Sequence, residues 1–346
     1  MPVDSEGKHY ALVNGKRFGL GHIPDEPDKR DYLFRPRPEI IARLSPSVDL
    51  TSFASTPTLD QYTYNDCTAN AAIGIFMWLQ QAVMPPAFLG SVLAEYKWGR
   101  DLDGLTGYSG LSPRTAMRVM YQIGVMHDSF WPMWLTVTYE DTGPGIAPNT
   151  NWDSEPTAAM VADASNNKAT NYWRCDTWDS NIEDTMNNMR AAIGTPKVVG
   201  GVTVPGVPVM FSTLVGASFA VINGDMNIPV PTEEELTGGH AIIAIGYNDT
   251  RVCSDGSYGA FLIKNSWGDV YGYGGYAWMP YNYLRVVASV SPEYCDALVI
   301  GLESEISTKT PIQIPSWATT FPSMSEIDIT NYLTLKHDGQ PTPGQH

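Results

Sequence analysis

The apolar positions of this chain change period part-way along it. Ala69, Ala72, Ile73, Phe76, Leu79 and Val83 recur at helical spacing, which predicts a helix over 67–83 stopped by Pro85-Pro86. "SPRTAMRVMYQIG" predicts a second helix, with Ser112 as cap, Pro113 in the first turn and Gly124 at the end. "SNIEDTMNNMRAAIG" predicts a third, ended by Gly194. Beyond Gly194 the pattern turns strand-like. "KVVGGVTV" reads as a strand, "HAIIAIGYN" is apolar on both faces as a central strand is, and "GAFLIKNSW" follows after a connection holding the turn signal Asp255-Gly256. Helices first and strands second predict an α+β fold of two lobes with a cleft between them: a helical lobe about 58–130 and a β lobe about 195–300.

The remaining stretches lack a clear period. Residues 1–46 form a proline- and charge-rich strap, "LGHIPDEPDKRDYLFRPRP" within it, expected to be extended because proline biases the residue before it away from helix. It has too little apolar periodicity to fold alone and is expected to lie along the main domain, residues 47–302. Residues 128–180 are rich in Trp, Tyr, Pro and Asn and read mostly as loop, with a short helix near "PTAAMVADASN". Residues 303–346 read as a tail.

Composition narrows the classes of function. Of 346 residues, 43% are hydrophobic and 17% charged, a well-packed globular balance. A net charge of −16 argues against nucleic acid or an anionic membrane as partner. No apolar run is long enough for a transmembrane helix, and the first residues lack the apolar core of a secretory signal. Four cysteines in a chain this long are no disulfide framework, so a reducing, cytoplasmic setting is expected. There is no phosphate-binding glycine loop, no H-E-x-x-H and no cysteine pair at zinc spacing, so neither metal nor organic cofactor is expected.

Cys67 stands at the start of the first predicted helix, where free N–H groups favour a thiolate, although a lone cysteine is equally at home in a core. His240 opens the strand "HAIIAIGYN" and Asn265 closes "GAFLIKN"; each alone is an ordinary polar residue at a strand end. Only together, in the order Gln61, Cys67, His240, Asn265, do they supply a nucleophile, a base, an orienter for the base and an oxyanion donor.

At these residues the sequence resembles the papain-like cysteine peptidases, in the bacterial and viral branch without a long prodomain. "DQYTYNDCTANA" resembles the family's cysteine stretch, "GGHAIIAIGYN" its histidine strand, and "KNSWGDVYGYGGYAWMP" its asparagine–tryptophan run almost position for position. The resemblance implies a two-lobe fold with an antiparallel, barrel-like β lobe. It implies a cysteine endopeptidase that cleaves polypeptides through a thioester acyl-enzyme. Cys67 would be the nucleophile and His240 the base in a thiolate–imidazolium pair. Asn265 would orient the imidazole, and Trp267 would cover the Asn–His hydrogen bond. Gln61 and the Cys67 N–H would form the oxyanion hole. Gly110, in "LTGYSGLSP", would belong to the wall that binds extended substrate, with Tyr62 and Trp267 also lining the cleft. The strap would block the cleft until trimmed. The alternative is a papain-fold structural or binding protein of a larger assembly, such as a virus particle, with a protein partner on the tail.

The match departs from the family where the nucleophile sits. Tyr62 replaces the glycine after the glutamine and is expected to narrow the cleft, and Asn65-Asp66 replaces Gly-Ser. Asn65 is expected to take up the left-handed conformation. Asp66 is expected to cap the helix. Its charge, roughly 6 Å from the sulfur at an effective dielectric of ~20–80, opposes the thiolate by about 0.7–3 kcal/mol. That matches or exceeds the roughly 0.3–1 kcal/mol gained from the helix end, so the Cys67 pKa is expected above the family's usual value.

Overall fold

A computed structural model describes the chain except residues 1, 6–7, 29, 140–142, 177–180, 200, 223 and 303–346. The expected tail lies outside the described residues. Seven helices occur among those described: α1 (Pro38–Ile41), α2 (Cys67–Val83), α3 (Val92–Leu102), α4 (Pro113–Gln122), α5 (Ala158–Ser165), α6 (Ile182–Gly194) and α7 (Tyr281–Val290). The three helices expected from periodicity are α2, α4 and α6. Apolar nearly all round, α2 is buried from Cys67 to Gln80 and forms the central rod of the core.

The strands in chain order are β1 (Tyr10–Val13), β2 (Lys16–Gly19), β3 (Ser47–Asp49), β4 (Trp134–Tyr139), β5 (Gly143–Pro148), β6 (Ala169–Arg174), β7 (Lys197–Val199), β8 (Val202–Val204), β9 (Val209–Val215), β10 (Gly238–Val252), β11 (Tyr258–Lys264), β12 (Tyr276–Pro280) and β13 (Ala297–Leu302). The main sheet runs β12-β11-β10-β9-β13-β6, antiparallel at each step, with β3 also paired to β10. Its end strands β12 and β6 do not pair with each other, so the antiparallel lobe expected is present as an open sheet and not as a closed barrel. Ile243 of β10 lies opposite Lys264 of β11, which carries Asn265, just past β11, toward the His240 end of β10.

Three expectations are corrected. Residues 128–180 are not mostly loop: they hold the β4–β5 hairpin, α5 as expected, and β6, which joins the main sheet. "KVVGGVTV" is two short strands, the β7–β8 hairpin. The strap is not extended throughout: its residues 10–19 double back as the β1–β2 hairpin, whose Ala11, Val13 and Phe18 are buried in the core, and its end coils into α1.

Candidate active site

The side chains singled out in the sequence come together where the first turn of α2 meets the start of β10. His240 Nε2 lies 2.8 Å from Asn265 Oδ1. The backbone N–H of Ser266 donates to the same oxygen at 2.8 Å, which identifies it as the carbonyl end of the amide. An amide oxygen only accepts, so Nε2 carries the proton and Nδ1 is the basic nitrogen. That Nδ1 has no hydrogen-bond partner among the described residues. Trp267 lies 4.9 Å from the imidazole, and Phe219 at 5.9 Å meets it edge-on. Phe18 and Tyr271 complete this dry aromatic box around Trp267, at 5.4 and 5.3 Å.

Gln61 is tied to the segment that carries Asn265. Its backbone N–H donates to Ser266 O at 2.9 Å, and its Oε1 accepts from Ser266 Oγ at 2.7 Å. That contact orients the amide and leaves Nε2 as donor. Nε2 donates to Tyr64 O at 3.0 Å and to Gly19 O at 2.9 Å. Gly19 belongs to the strap.

The strap runs through the site. Leu111 N–H donates to Gly21 O at 2.9 Å, Ile23 N–H to Leu111 O at 3.2 Å, and His22 N–H to Gly239 O at 3.3 Å. The N–H groups of Gly21 and Ala241 face the Cys67 sulfur. This approach needs glycine: a Cβ on Gly21 would lie 1.9 Å from Asn65 O, and one on Gly110 would lie 2.0 Å from Gly21 O. Gly110 therefore forms part of a wall beside Cys67, and the peptide seated on it is the chain's own.

Enclosure decides the charge state. Cys67, His240 and Gln61 are wholly buried. Burial pushes the Cys67 thiol up to about 11, and the Gly21 and Ala241 N–H groups offset only part of that. Burial pushes His240 down to about 4 despite its bond to Asn265. At neutral pH both groups are uncharged, so the expected thiolate–imidazolium pair is absent with the strap in place.

The loop before Cys67 departs from expectation in two ways. The left-handed residue is Tyr62, with φ +53°, and not Asn65. Tyr62 is exposed and packs edge-on against Trp134 at 5.6 Å. Asp66 occupies the N-cap position, but its side chain makes no cap bond. It is buried instead, and burial lifts its carboxyl well above the carboxylate range. Its charge is therefore a lesser cause of the raised Cys67 pKa than expected, and burial the greater.

Sequence reasoning missed what anchors the strap. Wholly buried Arg174, at the end of β6, pairs with Asp25 at 2.5 Å, Asp176 at 2.8 Å and also Asp296. His22 reaches Asp296 at 3.1 Å, and Arg114 of α4 pairs with Asp31 at 2.6 Å. The available signal was the acidic run "PDEPDKRD" in the strap, which needs cations on the body.

The pattern of the papain family cysteine proteases matches residues 208–291, which span β9 to α7. The chain is 28% identical over 287 residues to an uncharacterised peptidase C1-like protein of Acanthamoeba polyphaga mimivirus, covering 77% of this chain and 82% of that one. Among solved structures it is similar to xylellain, a cysteine protease from Xylella fastidiosa: 30% identity, 83% of this chain, 97% of that chain and a TM-score of 0.63. It shares its fold with a procathepsin B from Trypanosoma congolense at 14% identity, with a TM-score of 0.56 over 82% of this chain and 86% of that one. No helix among the described residues is long and apolar enough to cross a membrane.

Proposed function

This chain belongs to the papain family of cysteine proteases, and we propose that it is a thiol endopeptidase held latent by its own strap. One observation carries the reading: an extended peptide already occupies the site, its Gly19 carbonyl on the Gln61 amide and its Gly21 N–H against the Cys67 sulfur. A substrate carbonyl taking the place of Gly19 O would meet the same donor.

With the strap displaced, water and substrate reach the site and the burial that keeps both groups neutral is relieved. Cys67 gives its proton to His240 Nδ1, and the thiolate attacks the carbonyl carbon. The oxyanion accepts from Gln61 Nε2 and the Cys67 N–H. The imidazolium then protonates the leaving amine, the C–N bond breaks, and a thioester remains on Cys67. Water, deprotonated by His240, attacks the thioester and releases a carboxylic acid and the free thiol. Asn265 holds Nε2–H throughout, keeping Nδ1 toward the chemistry, and Trp267 keeps that bond dry. Gly110 and Leu111 bind substrate backbone as they bind the strap. The four buried, unpaired cysteines support a reducing setting.

The test is intact mass after treatment with a peptidyl epoxide, on wild type, Gly21→Ala to loosen the strap, and Gly21→Ala/Cys67→Ala as control. Single labelling of Gly21→Ala and none of the control supports the peptidase. A folded Gly21→Ala protein that takes no label would leave the second reading, a papain-fold binding protein. The neutral, sealed pair Cys67 and His240 is the observation that keeps that reading in play.

A further inference from the structure

Beside the nucleophile lies a carboxyl group that this mechanism does not use. Asp66 is wholly buried. Its Oδ1 accepts from Asn70 Nδ2 at 3.0 Å, its own backbone N–H also faces the carboxyl, and its Oδ2 has no hydrogen-bond partner among the described residues. The same Asn70 amide donates to the Asp66 carbonyl at 3.1 Å. Asn70 therefore braces the carboxyl against the turn of α2 that carries Cys67.

The groups that face Asp66 give it no counter-charge. They are Cys67 itself, Asp60 and Tyr64 from the loop before α2, Tyr96 from α3, and Tyr108 from the loop after α3. Two cations stand over the tyrosine rings, Arg100 at 4.3 Å from that of Tyr96 and Lys8 at 5.1 Å from that of Tyr108. Arg100 bonds to Asp153 and Gly107 O, and Lys8 donates to Tyr108 O. A carboxylate held only by one side-chain amide and its own backbone N–H, with no paired cation in a dry site, is strongly disfavoured, so the group keeps its proton.

Building on the thiol-peptidase reading, we propose that Asp66 is a positioning residue that works as a neutral acid: protonated, it leaves the Cys67 thiolate unopposed, and on ionising it sets an alkaline limit to the nucleophile. The geometry makes the coupling direct, because acid and thiol are adjacent in the chain and one amide fixes the turn they share. A full charge roughly 6 Å from the sulfur, at an effective dielectric of ~20–80, lowers the thiolate population about threefold to a hundredfold. Burial lifts the Asp66 carboxyl in the direction this role requires.

Two measurements on the full-length chain decide it. Infrared spectra of protein labelled with carboxyl-13C aspartate should show a protonated-carboxyl band that persists above pH 7.5 in wild type and is missing from the isosteric Asp66→Asn variant. The rate of Cys67 alkylation by iodoacetamide is followed by intact mass in both proteins across pH. The ratio of variant to wild type should climb by roughly tenfold between pH 7 and pH 10, the middle of the range above. A wild type without the band, or a ratio flat with pH, overturns the proposal. Should Asp66→Asn fail to fold, titrating the wild-type band alone still decides: loss of the last protonated aspartate below pH 7 refutes it. Folded proteins in which Cys67 resists alkylation at every pH even after Gly21→Ala has opened the strap would sink the peptidase reading and this role with it. Alkylation with a flat ratio would remove only the role of Asp66.

Discussion

Gly21→Ala should open the site without touching a catalytic side chain. The new Cβ would lie 1.9 Å from Asn65 O, 2.4 Å from Asn65 C and 2.6 Å from Asn65 Cβ. Two of these atoms are backbone, so no side-chain rotation relieves the overlap and the strap has to lift. Lifting it breaks at least four hydrogen bonds: Gln61 Nε2 to Gly19 O, Leu111 N to Gly21 O, Ile23 N to Leu111 O and His22 N to Gly239 O. At about 0.5–1.5 kcal/mol net each, the closed arrangement loses about 2–6 kcal/mol relative to the open one. That raises the open population by a factor of about 30 to 10⁴. The assay is the rate of Cys67 alkylation by iodoacetamide at pH 7.5, followed by intact mass, with circular dichroism to show that the fold persists. The expected result is an acceleration of at least about thirtyfold, on the same arithmetic. A folded Gly21→Ala protein that alkylates at the wild-type rate would refute the reasoning, because it would mean that the strap does not control access to the sulfur.

Gln61→Ala should cut two ways: in the Gly21→Ala background kcat should fall by about 10²–10³ as an oxyanion donor is lost, while in the otherwise intact chain alkylation of Cys67 should quicken because the strap loses an anchor. His240, held neutral by burial to about 4, has a folded pKa below its unfolded value of 6.5. It contributes stability above about pH 6.5 that is lost as pH falls toward about 4, so His240→Gln should gain on wild type in urea unfolding over that window, by about 3 kcal/mol. Arg174→Met leaves Asp25, Asp176 and Asp296 buried without their shared cation and should cost about 3–5 kcal/mol, read from the urea midpoint at pH 7.5; a change under about 1 kcal/mol would mean the cluster does not hold the strap.

The catalytic candidates were legible because their chemistry is local. Cys67 at a helix start, His240 at a strand start and Asn265 before a tryptophan keep their meaning whatever surrounds them, and α2, α4 and α6 were carried by clean apolar spacing. What escaped notice depends on distant partners. α3 carries Glu95, Lys97, Arg100 and Asp101, which look solvent-facing in sequence, yet Lys97 and Arg100 are buried through ion pairs to Asp101 and Asp153 at 2.7 and 2.8 Å. α7, "YNYLRVVASV", carries aromatic and β-branched residues that favour strands, and packing makes it a helix, with the buried Tyr283 hydroxyl on Leu214 O at 3.2 Å. The strap hairpin is short and its three core residues are spread among polar ones. The neutral Asp66 was the least visible, since a charge written in a sequence says nothing of how dry its surroundings are.

Phe18, one residue before the strap enters the site, stacks on Trp267 at 5.4 Å and is itself buried. The blocking segment and the wall of the aromatic box are thus neighbouring links of one chain. Cutting away everything up to residue 46 would strip Phe18, Ala11 and Val13 from the core and uncover the indole that shelters His240 and Asn265. A chain opened that way would gain an unobstructed cleft and lose the shelter of His240 in the same stroke. Activation that spares the machinery has to bend the chain just after Phe18, freeing Gly19 O from the Gln61 amide while Phe18 stays, as a hinged bolt slides back while its mounting plate stays screwed to the door.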